Sequence, residues 1–178
     1  SEEERVRKDL KELHEHLKRE VDKARKDLED MHRHSEELAR EVRERHERSK
    51  RELDELERRG TDEKTIRDVE RKNRDTNRRI REEMERHKKK LDEILERIRK
   101  SLEDHTKRVR EVLKELAKEN VKSEEIEERV RRNEDTLRRV LKELRERAKR
   151  NKDDIRRVLK ELEDRSREIE KKLREAER

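Results

Sequence analysis

The chain has 178 residues, of which 59 are Lys or Arg and 53 are Asp or Glu, so that 63% of the residues carry charge. It contains one Gly and no Pro, Cys or aromatic residue. This composition excludes a β-rich domain, which needs turn residues and aromatic or β-branched strand formers, and it excludes disulfide and thiolate chemistry. A disordered polyampholyte and a set of long helices are the two classes that remain.

Hydrophobic periodicity favours helices over disorder. From Val6 to Leu56, apolar or small residues recur every three or four positions, which predicts a first helix over about residues 2–59. Ser1 followed by Glu4 is a capping-box pattern at its start. Gly60 suits the left-handed position that follows a helix end.

The same spacing continues through the rest of the chain and predicts two more helices, over about residues 62–119 and 123–178. The predicted capping residues at the two breaks are Thr61, Asn120 and Ser123. Because both loops have only two or three residues, consecutive helices must be antiparallel neighbours. At 1.5 Å per residue, each helix is about 85 Å long.

An internal repeat of eighteen residues runs through the third helix. The segment 132–144 recurs as 150–162, with ten of thirteen positions identical. Since eighteen residues are five turns of an α-helix, the repeat returns each side chain to the same angular position and predicts nearly straight helices. We therefore predict an all-α fold, a single up-down-up antiparallel three-helix bundle over residues 1–178.

Antiparallel pairing places the polar residues of the apolar seam at three common levels. The first His layer comprises His14, His16, His105, Thr106, Asn133 and Thr136. The second His layer comprises His32, His34, His87, Asn151 and Asp154. The third polar layer comprises His46, Ser49, Asn73, Thr76, Asn77 and Ser166.

The two His layers repeat each other at the eighteen-residue offset, whereas His46 stands outside that scheme. We expect Asn133 and Asn151 to be buried and hydrogen-bonded across helices, level with His105 and His87, because an unpaired buried amide is costly. The alternative is a plain structural role: hydrogen-bonded burial for the seam histidines, and a solvated boundary position for the four histidines of the first helix.

The repeat, the Glu/Lys/Arg surface, Ser1 at the start and the aligned His and Asn layers resemble computationally designed helical bundles with modular buried hydrogen-bond networks. The chain is most similar to the pH-responsive type, in which His-containing layers alternate with apolar ones. The resemblance implies acid-triggered unfolding or disassembly, no natural compartment, and recombinant production in a cytoplasm. One departure is that known pH-responsive trimers are built from separate hairpins, whereas here one chain carries all three helices.

Buried neutral histidines supply a mechanism for a pH response. Protonation turns both ring nitrogens into donors and places a cation in the seam, so stability should fall in mild acid. The leading hypothesis is a designed structural protein whose His networks make folding or assembly pH-dependent. The alternatives are a subunit of a homo-oligomer or fibre, and an inert bundle that tests network design.

Other functions find little support in the residues. There is no nucleophile elbow, phosphate-binding Gly loop or HExxH motif, and we expect no enzymatic activity, cofactor or metal. The net charge of +6 comes from interspersed signs, without a basic block or aromatic platform for nucleic acid. No apolar run is long enough to cross a membrane, and we expect no membrane partner. The only partner we expect is a further copy of the chain.

Overall fold

The computed structural model describes residues 1–177 and contains three α-helices: α1 (Glu2–Arg59), α2 (Glu63–Lys118) and α3 (Glu124–Glu177). The described chain is 95% helical, it has no strand, and every helix contacts the other two. The predicted all-α three-helix bundle is confirmed. Its predicted last residue, Arg178, lies outside the described residues.

Local chemistry explains where the helices begin and end. The backbone N–H of Glu4 donates to Ser1 Oγ at 3.3 Å, which caps α1. Gly60 has a φ of 97°, a left-handed conformation that a side chain would strain. The predicted cap Thr61 is wrong, because the carboxylate of Asp62 accepts from the Lys64 N–H at 3.1 Å and holds the start of α2.

The second loop closes with two hydrogen bonds around Asn120, whose φ is 56°. The Asn120 N–H donates to the Ala117 carbonyl at 3.1 Å, and the Val121 N–H donates to the Leu116 carbonyl at 3.3 Å. This is a Schellman motif, and Val121 packs against the core next to Leu116 as the motif requires. Ser123 then accepts from the Ile126 N–H at 3.3 Å and caps α3.

We predicted a single bundle over residues 1–178, and the contacts within it group into two compact units. Unit 1 consists of Ser1–Glu29 and Leu91–Lys149. Unit 2 consists of Asp30–Lys90 and the chain from Arg150 onward. Each helix contributes one segment to each unit.

Each unit buries its own apolar clusters. The cluster of unit 1 contains Val6, Leu116, Ile126 and Val130. Unit 2 has two clusters, one around Ile80, Met84 and Ile155 and one around Leu53, Val69 and Ile169. Three further apolar residues are buried: Ala39, Ile94 and Val158. Within residues 1–177, no helix carries an apolar stretch sufficient to cross a membrane.

Candidate functional site

The second His layer lies in unit 2, where carboxylates accompany two of its histidines. His32 on α1 donates from Nδ1 to Asp154 Oδ2 on α3 at 2.6 Å, and its Nε2 lies 3.1 Å from Glu36 Oε1. Asp154 is buried, with 8% of the residue exposed. The hydrogen bond to Asp154 raises the pKa of His32, against the opposing effect of desolvation, since the carboxylate stabilises the charged ring.

His34 connects α1 to α2 in the same layer. Its Nε2 donates to Glu83 Oε2 at 2.9 Å. Its ring also lies against the ring of His87, with centroids 4.9 Å apart and planes tilted by 41°. The two histidines that pairing arithmetic placed at one level are therefore in direct contact.

His87 has the opposite electrostatic setting from His32. Burial lowers the pKa of His87, and the neighbouring His34, Lys90 and Arg86 lower it further, while Glu83 acts in the opposite direction. Its Nδ1 is buried and has no hydrogen-bond partner among the residues described. A proton on this ring would lack both water and a counter-charge at that nitrogen.

The first His layer lies in unit 1 and is built with fewer charges. His105 is buried, and this burial lowers its pKa, as does the neighbouring His14, while a hydrogen bond with the Leu13 backbone raises it. His14 is half-buried, whereas His16 is exposed and forms no polar contact within residues 1–177. His105 and His14 are thus brought together, and His16 is not.

The two seam amides, Asn133 and Asn151, differ in burial. Asn151 is buried, with 3% of the residue exposed. Asn133 is only half-buried, and it lines small cavities together with His14 and with His105. It shares the predicted level, but no hydrogen bond joins it to either ring in the described chain, so the expected cross-helix network does not form there.

The hydroxyls of the first layer also stay within their own helices. Thr106 Oγ1 donates to the Leu102 carbonyl at 2.9 Å, and Thr136 Oγ1 donates to the Arg132 carbonyl at 3.0 Å. Both threonines are exposed. Each threonine hydroxyl donates its one proton to a carbonyl on the preceding turn of its own helix. It therefore has no proton left to donate to a neighbouring imidazole.

The third polar layer lies in unit 2 and divides into two groups. Asn73 and Asn77 of α2 both donate from Nδ2 to Ser166 Oγ of α3, at 3.3 and 2.6 Å. Thr76 is half-buried beside them on α2. Ser49 is 1% exposed, and its Oγ has no hydrogen-bond partner in the part of the chain that the structure describes.

His46 forms a separate group with α3. Its Nε2 donates to Glu168 Oε2 at 2.9 Å, and Arg165 Nη1 donates to its Nδ1 at 3.3 Å. Glu47 Oε1 lies 3.8 Å from the same Nδ1, so acidic groups of both α1 and α3 border this ring.

Sequence reasoning placed Asp154 in the second His layer, but it missed Glu83 and Glu168. Glu83 is half-buried in the middle of α2, and Glu168 is exposed on α3. Each extends its carboxylate from outside the apolar stripe to a histidine ring. Asp154 is the exception that the sequence signals. It occupies the position in 150–162 that Thr136 occupies in 132–144, one of the three differences between the two copies.

The same comparison applies to α2, where Ser101 stands eighteen residues after Glu83, as His105 stands after His87. Unit 2 therefore has Asp154 and Glu83 where unit 1 has Thr136 and Ser101. One ion pair between α1 and α3 is kept in both copies. Arg25 pairs with Glu143 at 2.9 Å in unit 1, and the equivalent Arg43 pairs with Glu161 at 3.0 Å in unit 2.

Across residues 1–177, no group of three or more His, Asp or Glu side chains is arranged to hold a metal ion. The chemistry of the layers is proton binding by imidazoles in two kinds of surroundings, with and without a carboxylate. Comparisons of this chain with protein-family models, with curated proteins and with solved structures find no match.

Proposed function

We propose that this chain is a designed structural protein, with no catalytic role, whose partly buried histidines lower its folding stability in mild acid. The design origin is supported by the eighteen-residue repeat of α3, by the same offset between histidines in α1 and in α2, and by the uniform Glu, Lys and Arg surface. The pH response is supported by the histidine pairs of the two His layers.

The observation that carries the proposal is the contact between His34 and His87, whose ring centroids are 4.9 Å apart. If both rings bind a proton, two cations face each other beside apolar packing. Glu83 bonds to His34, and the described residues offer no partner to the buried Nδ1 of His87. Protonation of His87 therefore favours a state in which the ring reaches water.

The direction of the pH dependence follows from the pKa of His87 and His105, which lies below the ordinary value in the folded chain for both. The unfolded chain then binds protons more readily than the folded one. The free energy of unfolding is therefore unaffected by these two rings above the unfolded pKa of about 6.5. It decreases as the pH falls toward their folded pKa. His32 has a raised pKa and acts in the opposite direction.

The test is the urea midpoint of unfolding at pH 7.5 and at pH 5.0, followed by circular dichroism. We expect the midpoint of the parent chain to be lower at pH 5.0. The double variant His87→Asn, His105→Asn should lose most of that difference, because asparagine does not titrate in this range.

His16→Asn is the matched control, because it makes the same chemical change on an exposed ring without polar contacts. It should leave the difference between the two midpoints unchanged. Equal midpoints at pH 7.5 and 5.0 in the parent chain would show that the proposal is wrong. So would a difference that survives in the double variant.

A further inference from the structure

An open groove runs along unit 1 between α2 and α3, with a volume of about 1060 Å³. Ile98 and Leu144 form its floor and are almost fully buried. Leu95, Leu102 and Leu141 line its walls and are only half-buried. These three leucines form an apolar surface that unit 1 leaves partly uncovered.

The groove has a long wall on α2 and a short wall on α3, where Leu141, Leu144 and Arg145 line it. Its lining extends along α2 from Asp92 to Lys114. At 1.5 Å per residue this is about 33 Å, which matches an α-helix of about 22 residues. The apolar positions Leu95, Ile98 and Leu102 of α2 are spaced by three and four residues. Such spacing forms a ridge against which an added helix can pack.

A second copy of this chain is a poor occupant. A concave groove needs a convex apolar ridge, and the described residues expose no large hydrophobic side chain. Two copies could only bring groove against groove, which would leave a void. The occupant must therefore be a different segment that carries an apolar stripe on its outside.

Charged side chains along the rim of the groove indicate which charges a docked segment would need. Toward one end it carries Asp92, Glu96 and Glu103, with Arg99 held between the two glutamates. Toward the other end it carries Lys107, Arg110 and Lys114, with one acid, Glu111. With Arg145 of α3, which also lines the groove, the rim carries four acids and five bases. Along α2 the excess of acid lies toward Asp92 and the excess of base lies toward Lys114.

The geometry points to a docking site for a single amphipathic α-helix from another chain. Its apolar stripe would cover Leu95, Leu102 and Leu141. Basic residues would flank the stripe beside Asp92 and Glu96, and acidic residues would flank it beside the basic end of the rim. Burial of the apolar stripe provides the binding free energy, and the rim charges select the partner and its direction.

The probe is a fluorescein-labelled synthetic peptide of 22 residues, with Leu and Ile at alternating spacings of three and four. Lys flanks the stripe in one half, and Glu flanks it in the other. Two control peptides keep the stripe and carry only Lys or only Glu. Fluorescence anisotropy at pH 7.5 should give a Kd of the order of 1–10 µM for the probe, and at least about fivefold weaker binding for each control.

The eighteen-residue repeat supplies a matched pair of variants. Leu141→Glu places a charge in the groove wall, whereas Leu159→Glu makes the same change at the equivalent half-buried position of unit 2. Circular dichroism checks that both variants remain helical. Leu141→Glu should weaken binding about tenfold or more, and Leu159→Glu should not. Leu102→Glu provides a second groove variant if Leu141→Glu fails to fold.

Three results would overturn the inference. The first is no saturable binding of the probe up to about 100 µM. The second is an equal loss of binding in the groove variants and in Leu159→Glu. The third is sedimentation that shows a dimer of the parent chain which Leu141→Glu dissociates, because a second copy would then cover the groove.

Discussion

At the scale of single residues, Asp154 and Thr136 show how one substitution within a repeat changes the behaviour of a histidine. Asp154 accepts the hydrogen bond of His32, while Thr136 bonds to its own helix. The pKa of His32 is raised as a result. The stability that this pair contributes is fully present below the unfolded pKa of about 6.5 and is lost as the pH rises through the folded pKa.

We predict that Asp154→Thr lowers stability more at pH 5.0 than at pH 8.0. Because 47% of the His32 side chain is exposed, solvent screens the pair, and we expect a loss of about 0.2–1 kcal/mol at pH 5.0. Thermal unfolding at the two pH values measures it.

The converse variant Thr136→Asp places a carboxylate at the same repeat position, level with His14. It should raise the melting temperature at pH 5.0 relative to that at pH 8.0. If Asp154→Thr lowers stability equally at both pH values, the carboxylate acts through packing, and the electrostatic account of His32 fails.

At the scale of elements, the capping residues determine the helix ends. Asp62 accepts from the Lys64 N–H and also from Thr65 Oγ1 at 2.9 Å, whereas Thr61 makes no such bond in the described chain. Sequence preference favours both residue types at a helix start. The aspartate has the further advantage that its charge opposes the positive end of the helix dipole.

We predict that Asp62→Ala costs about 1 kcal/mol in the free energy of unfolding. Thr61→Ala is its neighbouring control and should cost less than about 0.5 kcal/mol, as is usual for an exposed residue outside any cap. Urea titration at pH 7.5 measures both variants. A larger cost for Thr61→Ala would mean that α2 begins one residue earlier than the hydrogen bonds indicate.

At the scale of the whole molecule, the two units differ in the carboxylates that accompany their histidines. Unit 2 has Glu83 beside His34 and Asp154 beside His32, and each carboxylate can hold a protonated ring. Unit 1 has Ser101 and Thr136 at the equivalent positions. The pKa of its buried His105 is lowered by burial and by the neighbouring His14.

We therefore predict that a shift from pH 7.5 to pH 5.0 reduces amide hydrogen-exchange protection more in unit 1 than in unit 2. Mass spectrometry of peptides from residues 5–25 and 95–115 reports on unit 1, and peptides from 35–55 and 65–85 report on unit 2. Exchange rates are corrected for the intrinsic effect of pH. The double variant Thr136→Asp, Ser101→Glu should reduce the difference, and an equal loss in both units of the parent chain would contradict the prediction.

The sequence by itself determined the helices, their antiparallel order and the levels at which polar residues meet. These depend on local periodicity, on two short loops and on capping side chains such as Ser1 and Ser123, all of which act over a few residues. The contact of His34 with His87 follows from the same register. The helical rise and the length of the first loop place the two rings at one level, and side-chain packing then selects His34 rather than His32 for the contact.

The tertiary structure alone decided which histidines meet a carboxylate and which apolar side chains stay uncovered. Asp154 shares the level that the sequence predicts for His32, whereas Glu83 was assigned to no layer and meets His34 only in the folded chain. Leu102 and Leu141 belong to the apolar stripe, yet they remain half-buried because coverage depends on the placement of all three helices. Proton affinity and groove shape arise from such non-local contacts, since both depend on what surrounds a side chain rather than on its position along the chain.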